Sequence, residues 1–357
     1  MKNERVASKK KIVHILKSSI YSGAENVVLT IMRELRTEFD FIYIATEGTI
    51  RKQLEKEKIP FVLLSQFNRK NLEKVLKTIS PDIVHAHDFS ATVLCATIPG
   101  KFQLISHLHY DPPWVNHWNL KTLVYAICHR RIQQVLTVSE NAFEAMVFAK
   151  LYREKLQVVG NPIDGERIRR LSKDENVDLK GKVCNLIFVG RLVEQKNPQR
   201  FIHIVHTIKE QYWPDICVWM LGDGELWKEC TRLIKELGLQ KNIELKGFVE
   251  NPYPYIRCSD IMCITSRWEG FGLVAAEANI LGVPVLSTNT SGCREILKNQ
   301  NDALCENDTQ FVTKIQQFHE NADIYELFKQ RSLIRGNEFD NVKQYMMQIL
   351  TIYRELK

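Results

Sequence analysis

Glu269 and Glu277 bracket a Gly-Phe-Gly turn in the segment SRWEGFGLVAAEANILGVPV, residues 266–285. The segment follows an apolar run, passes through the turn and enters an Ala-rich helical stretch. A glycine turn at a helix start presents unpaired backbone N–H groups, which form an anion site suited to phosphate. An acidic side chain on an otherwise apolar helix face is costly to bury unless something hydrogen-bonds it. A pair of sugar or ribose hydroxyls would meet that need. On these residues alone two readings stay open: acceptors for ligand hydroxyls, or a helix cap at Glu269 with an ion-paired Glu277.

Arg191 and Lys196 lie in VGRLVEQKNP, residues 189–198, between an apolar run and a helical stretch. A fork-shaped donor and a point charge together suit a diphosphate. Taken singly, each is as readily a solvated loop cation. Three further loops hold comparable places: SGAE at 22–25, GDGE at 222–225, and the turn of Gly247, Phe248 and Val249. Each is weak alone, because glycine at a strand-to-helix turn is often only geometry. Together they lie at carboxyl ends of strands, where ligands bind in parallel sheets.

Those loops need a scaffold. Short β-branched runs at 11–16, 41–45, 61–64, 83–86, 104–107, 135–138 and 156–159 alternate with helical stretches such as 26–35 and 71–79. A second series follows at 185–189, 217–221, 243–246, 261–264 and 283–287. Apolar strands separated by helix-length connections indicate parallel sheets of βαβ units. The expected fold class is therefore α/β, with two Rossmann-like, doubly wound domains facing each other across a cleft. The turn cluster GNPID at 160–164 marks the boundary. The first domain is expected over 1–160 plus 341–357, and the second over 161–340. In the last segment Val342, Tyr345, Met346, Ile349, Leu350 and Tyr353 form one apolar stripe.

A length of 357 residues fits two such domains. The net charge of +7 is unevenly placed. Residues 1–160 hold 23 basic and 15 acidic side chains, or +8, whereas the remainder holds 26 and 27, or −1. The basic residues are scattered and no nucleic-acid-binding module accompanies them, so nucleic acid is not an expected partner. The nine cysteines contain no C-x-x-C pair and sit mostly among apolar neighbours, the pattern of reduced, buried thiols. The start, MKNERVASKKKIVHIL, is too short in its apolar part for a signal peptide, and no run of 18 apolar residues occurs. A cytoplasmic protein is expected.

The motifs SGAEN, PDIVHAHD, GRLVEQKNP, GDGEL and SRWEGFGLVAAEANILGVPV with TNTSGCREIL resemble those of the retaining family 4, or group 1, glycosyltransferases of GT-B fold. The resemblance spans essentially the whole chain, including a last helix that in the family crosses back onto the first domain. It implies that Arg191 and Lys196 hold the diphosphate of a nucleotide-sugar donor. Glu277 would accept from ribose hydroxyls, and Glu269 would approach the donor sugar beside the backbone N–H groups of Phe271, Gly272 and Leu273. Gly23 would let the first loop approach the diphosphate, and Gly247, Phe248 and Val249 would face the base. The family also places a histidine of the first domain near the reacting sugar. His107 and His109 are the two choices, and His109 is favoured because it lies in the loop.

The resemblance further implies a metal-independent, retaining hexosyltransferase with no cofactor, a UDP-sugar as favoured donor, and a glycan or lipid-linked acceptor. A role in bacterial surface polysaccharide or glycolipid synthesis goes with it. No Asp-x-Asp occurs, so a metal–diphosphate site of the other large glycosyltransferase fold is not expected. Two departures stand out: Ser22-Gly23 replaces a common Gly-Gly, and Asn161-Pro162 replaces a common Asn-Gly. The alternatives are a nucleotide-sugar epimerase of the same fold, which the E-x7-E segment disfavours, and a non-catalytic nucleotide-sugar-binding subunit.

The stretch HLHYDPPWVNHW, residues 107–118, is rich in aromatic and histidine side chains. Its internal spacing suits no closed metal-ligand set. An acceptor-binding loop, a membrane-interface wedge and an ordinary packed loop all remain open. The basic excess of the first domain fits peripheral contact with anionic lipid at the inner face of the cell membrane, a pyrophosphate-bearing acceptor, or a solvated surface.

Overall fold

The computed structural model describes residues 9–109, 113–144, 146–174, 177, 184–298 and 300–356. The chain divides into two compact units, Met1–Pro162 with Val342–Lys357, and Ile163–Asn341.

The first unit is built on a seven-stranded parallel sheet in the order β3-β2-β1-β4-β5-β6-β7. Its strands are β1 Lys11–Ile15, β2 Asp40–Thr46, β3 Phe61–Leu64, β4 Ile83–Ala86, β5 Gln103–Leu108, β6 Ile132–Thr137 and β7 Leu156–Val158. Both faces are covered, as the apolar strands demand. Val13, Ile15, Val84, Leu104 and Val135 belong to one apolar cluster, while Ile12, Tyr43, Ile83, Ile105 and Leu136 belong to the other. The helix Val342–Glu355 packs into the second cluster through Tyr345, Met346, Ile349 and Tyr353 of the expected stripe, joined by Ile352, while Val342 and Leu350 of that stripe are partly buried against it. Register sets up the polar row described below. His14 pairs with His85 across β1 and β4, and His85 pairs with Ile105 across β4 and β5. Side chains alternate faces along a strand, so His14, His85, His87, His107 and His109 all project from one face.

The second unit carries a six-stranded parallel sheet in the order β10-β9-β8-β11-β12-β13. Its strands are β8 Asn185–Val189, β9 Cys217–Leu221, β10 Ile243–Gly247, β11 Ile261–Ile264, β12 Val285–Thr288 and β13 Leu304–Cys305. Gly222, just beyond β9, explains how two loops share one edge. It has φ +136°, and a Cβ there would lie 2.0 Å from the Gly190 carbonyl oxygen. Only glycine lets the exits of β8 and β9 touch backbone to backbone.

Several strand ends shift by a residue from the sequence reading, and three differences are larger. β6 begins at Ile132, where Gln133 serves the sheet through its side chain: its oxygen accepts from the Leu104 N–H at 2.6 Å, at a register shift that leaves Gln133 as the extra residue of β6. β12 begins after Pro284, which has no N–H to donate. β13 is two residues long, too short to leave a periodicity.

Candidate functional site

The loop after β8 and the loop after β11 meet in the second unit. Lys196 ends a short turn, Glu194–Lys196, and its Nζ donates to Glu269 Oε1. Ser266 Oγ donates to the same oxygen at 2.6 Å. Glu269 is buried, so its carboxylate depends on these two donors. The helix-cap reading of Glu269 does not describe it. The following helix, Leu273–Ile280, is preceded by Gly272 at φ +86°, with no side-chain cap.

Gln195 fastens the two loops. Its Nε2 donates to the Trp268 carbonyl at 3.1 Å, its own carbonyl accepts from the Arg267 N–H at 2.8 Å, and its Oε1 takes a long bond of 3.4 Å from Arg191 Nη2. Arg191 is otherwise solvent-exposed on the same loop. Lys196 is thus committed to a carboxylate, while Arg191 is free to turn towards an anion. The Gly-Phe-Gly turn is braced from the other side. Gly292 N–H and Ser291 Oγ donate to the Glu269 carbonyl at 3.0 and 3.1 Å. A Cβ on Gly292 would lie 2.7 Å from the Phe271 backbone nitrogen. Phe271 itself is buried and meets Phe339 edge-on, and Leu273 is half-buried.

Glu277 stands one turn into the helix, half-buried. Tyr253 OH donates to its Oε1 at 3.2 Å. Burial pushes its pKa up to about 7, against the opposing effects of that hydroxyl and of the nearby Arg167 charge. Gly247 has φ +71° and accepts from the Gly222 N–H at 2.7 Å, which leaves Phe248 exposed and Val249 half-buried. The second unit therefore holds Arg191, Lys196, Gly247, Phe248, Val249, Glu269, Phe271, Gly272, Leu273 and Glu277. Gly23 and His109 belong to the first. Gly23 opens the helix Gly23–Glu34, where Ser22 Oγ donates to the buried Glu25.

In the first unit the histidines form a connected row. His14 Nδ1 lies 2.8 Å from His87 Nε2, His87 Nδ1 lies 2.9 Å from His109 Nε2, and His85 Nε2 lies 3.2 Å from His107 Nδ1. Tyr353, on the last helix, reaches His85 Nδ1 at 2.7 Å and His14 Nε2 at 3.4 Å. His14, His85, His87 and His107 are fully buried and His109 half-buried. Burial lowers all five from the ordinary histidine range, His109 to about 4 and His14 to about 3, so the row is neutral at pH 7. Of the two site choices, His107 is strand-bound and His109 stands beyond β5.

The stretch at 107–118 divides. Trp114 packs edge-on against Phe89 in the core, whereas Trp118 is exposed; Tyr110, Asp111 and Pro112 lie outside the described residues. Ser266, Gln195, Gly292, Tyr253, His14, His85 and His87 were not among the expected site residues. Ser266 carried a local signal, a serine three residues before Glu269.

Residues 21–167 match the family model described as Glycosyltransferase Family 4, and residues 169–333 match that described as Glycosyl transferases group 1. The chain belongs to the family 4, group 1 glycosyltransferases. It is 25% identical to a Campylobacter jejuni N-acetylgalactosaminyltransferase acting on a diphospho-undecaprenol-linked sugar, over 90% of this chain and 93% of that one. It is also 25% identical to the Staphylococcus aureus capsular polysaccharide biosynthesis glycosyltransferase CapH, covering 80% and 83%. Among solved structures, Anabaena HepE in complex with UDP and glucose superposes with a TM-score of 0.82 at 20% identity, covering 97% of this chain and 100% of that one. The two parallel sheets with their helices are the GT-B fold of this glycosyltransferase's structural neighbours.

Proposed function

We propose that this glycosyltransferase transfers a hexose from a UDP-sugar to a lipid-linked or glycan acceptor, with retention at the anomeric carbon and no metal at the diphosphate. The observation that carries the reading is the meeting of Lys196 and Ser266 on the buried carboxylate of Glu269, beside the Gly272 turn. In this reading an arriving diphosphate takes Arg191 and draws Lys196 from Glu269, which becomes free to accept from a sugar hydroxyl. Glu277 accepts from the ribose, and the 247–249 turn lies at the base. The neutral His109 Nε2 serves the acceptor side. The glycosidic C1–O bond to the diphosphate breaks, the acceptor oxygen bonds to C1 on the same face, and the acceptor proton passes to the departing phosphate oxygen. Arg191, Lys196 and the backbone N–H groups of the turn stabilise the leaving charge, the term that carries most weight in such a step. Support for the donor and acceptor classes comes from the UDP-bound neighbour and the undecaprenol-diphosphate relative.

We also propose peripheral contact with anionic lipid. Leu120, Leu123 and Ile127 are 76%, 51% and 71% exposed at helical spacing, Trp118 precedes them at 58%, and the exposed cations Lys121 and Arg130 flank them. Apolar side chains rimmed by cations suit the headgroup boundary. Among the described residues no helix is long and apolar enough to cross a membrane. Sedimentation with vesicles should rise with anionic lipid and fall with salt and with Leu123→Glu/Ile127→Glu; insensitivity to all three rejects the contact.

Transfer is tested by release of nucleoside diphosphate from a panel of nucleotide-sugars with candidate acceptors. Glu269→Ala, Arg191→Ala and Lys196→Ala should each reduce release severely. Wild-type-like release in all three rejects the site, and UDP binding without release under any acceptor favours the non-catalytic subunit.

A further inference from the structure

One ring nitrogen from each of His87, His107 and His109 lies within 4.8 Å of the others. Around them His109 Nδ1 and Asn161 Oδ1 face each other, but His107 Nε2 is buried with no hydrogen-bond partner among the described residues. A buried ring nitrogen left unpaired asks for an explanation.

We infer that His87 Nδ1, His107 Nε2 and His109 Nε2 form a binding site for a divalent transition-metal ion of the Zn2+ class. One assignment of tautomers suits the ion-bound row. His107 donates its Nδ1–H to His85 Nε2, and His87 donates its Nε2–H to His14 Nδ1. His85 Nδ1–H and His14 Nε2–H both point to the Tyr353 hydroxyl oxygen, which has two lone pairs to accept them. His109 then carries its proton on Nδ1, facing Asn161 Oδ1. All three ligating nitrogens then present lone pairs, and the ion takes the place of the hydrogen bond that joins His87 Nδ1 to His109 Nε2 in the ion-free protein.

This is the construction of a metal centre with its outer shell, in which each ligating histidine is oriented through its other nitrogen. Imidazole donors suit Zn2+, Cu2+ or Ni2+ and not Mg2+ or Ca2+, which take oxygen ligands. Three histidines with one open position is a recurrent zinc geometry. Zn–N bonds of about 2.0–2.1 Å set the nitrogens roughly 3.4 Å apart, so the His87–His109 pair, at 2.9 Å, opens slightly and the wider separations, up to 4.8 Å, close as the ion enters. The site belongs to the first unit, whereas Arg191 and Lys196 belong to the second. A further consequence rests on the proposed acceptor-side role of His109: an ion holding its Nε2 slows transfer, and a chelator restores it.

The test uses metal-stripped full-length protein without donor, so it stands apart from the transfer reading. Calorimetric titration with Zn2+ should show one saturable equivalent and a rise in Tm. Co2+ should give the intense visible d–d band of a four-coordinate nitrogen site. His109→Ala, at the half-buried end of the row and least disruptive to folding, should weaken Zn2+ binding at least tenfold and remove the Co2+ band. His107→Gln should do the same, with circular dichroism confirming its fold, while His117→Ala, exposed in the same unit, should not. Absence of a saturable equivalent, wild-type affinity in His109→Ala, or a thiolate charge-transfer band from Co2+ on the cysteines would each overturn the inference.

Discussion

The polar centre of the second unit is charged and built on loops, whereas that of the first unit is neutral and built on strands. Lys196, Glu269 and Arg191 sit on backbone that leaves the sheet, with Glu269 buried and Arg191 in solvent. A partner or water is within reach of each of these groups, and an incoming diphosphate needs only to exchange partners. The histidine row projects from the β1, β4 and β5 side of a packed sheet and keeps its place by losing its charge. Loops thus supply electrostatics that can be re-aimed, and the strand row supplies fixed, neutral lone pairs.

The largest expected difference is the response to acid. The unfolded chain protonates histidine near 6.5, and the buried row does so only well below that, so between those values the unfolded state binds more protons. Stability should therefore fall as pH drops, by about 1.4 kcal/mol per buried imidazole between pH 7.5 and 5.5 and several kcal/mol for the row. Glu277 works in the opposite sense. Its folded value is raised to about 7, so its share of stability grows as pH falls through that point. Urea melts across this range would break the comparison if stability were flat.

Next comes Glu269→Ala, for which a loss of about 10²–10³ in kcat is expected if its role equals that of a preorganised electrostatic group. The melting temperature in the same preparation shows whether folding is spared. Gly292→Ala should follow: its Cβ would meet the backbone of Phe271 and Glu269 at 2.7–2.8 Å, with an overpacking cost of about 1–3 kcal/mol and a displaced turn. A variant with wild-type Tm and turnover would show that the turn is not braced there. The smallest effect is expected from Glu277→Gln. UDP affinity of the wild type should rise as pH passes upward through about 7, as the carboxylate ionises, and the amide should flatten that dependence.

The same contrast explains what the sequence could disclose. Arg191, Lys196, Glu269 and Glu277 are legible because each motif is contiguous and its turn chemistry is local, the Gly272 helix start above all. Strands β1, β4, β8, β9 and β11 are legible as apolar runs. The histidine row is not legible in the same way, because His14 is far along the chain from His85 and His87, and these from His107 and His109, and only parallel register joins them. Spacing within 107–118 likewise suited no metal, since the third ring of the group, His87, comes from the neighbouring strand's exit. Gln195 and Tyr253 carried no signal of their own, because a glutamine between two cations and a tyrosine after a proline suit many surfaces.

The central claim is that Lys196 exchanges Glu269 for the donor's diphosphate. Calorimetric titration of UDP into the wild type and into Lys196→Ala tests it most directly. A charge-assisted bond to phosphate is worth about 1.5–3 kcal/mol, so the variant should bind at least about tenfold more weakly. UDP bound with wild-type affinity by a folded Lys196→Ala protein would contradict the account.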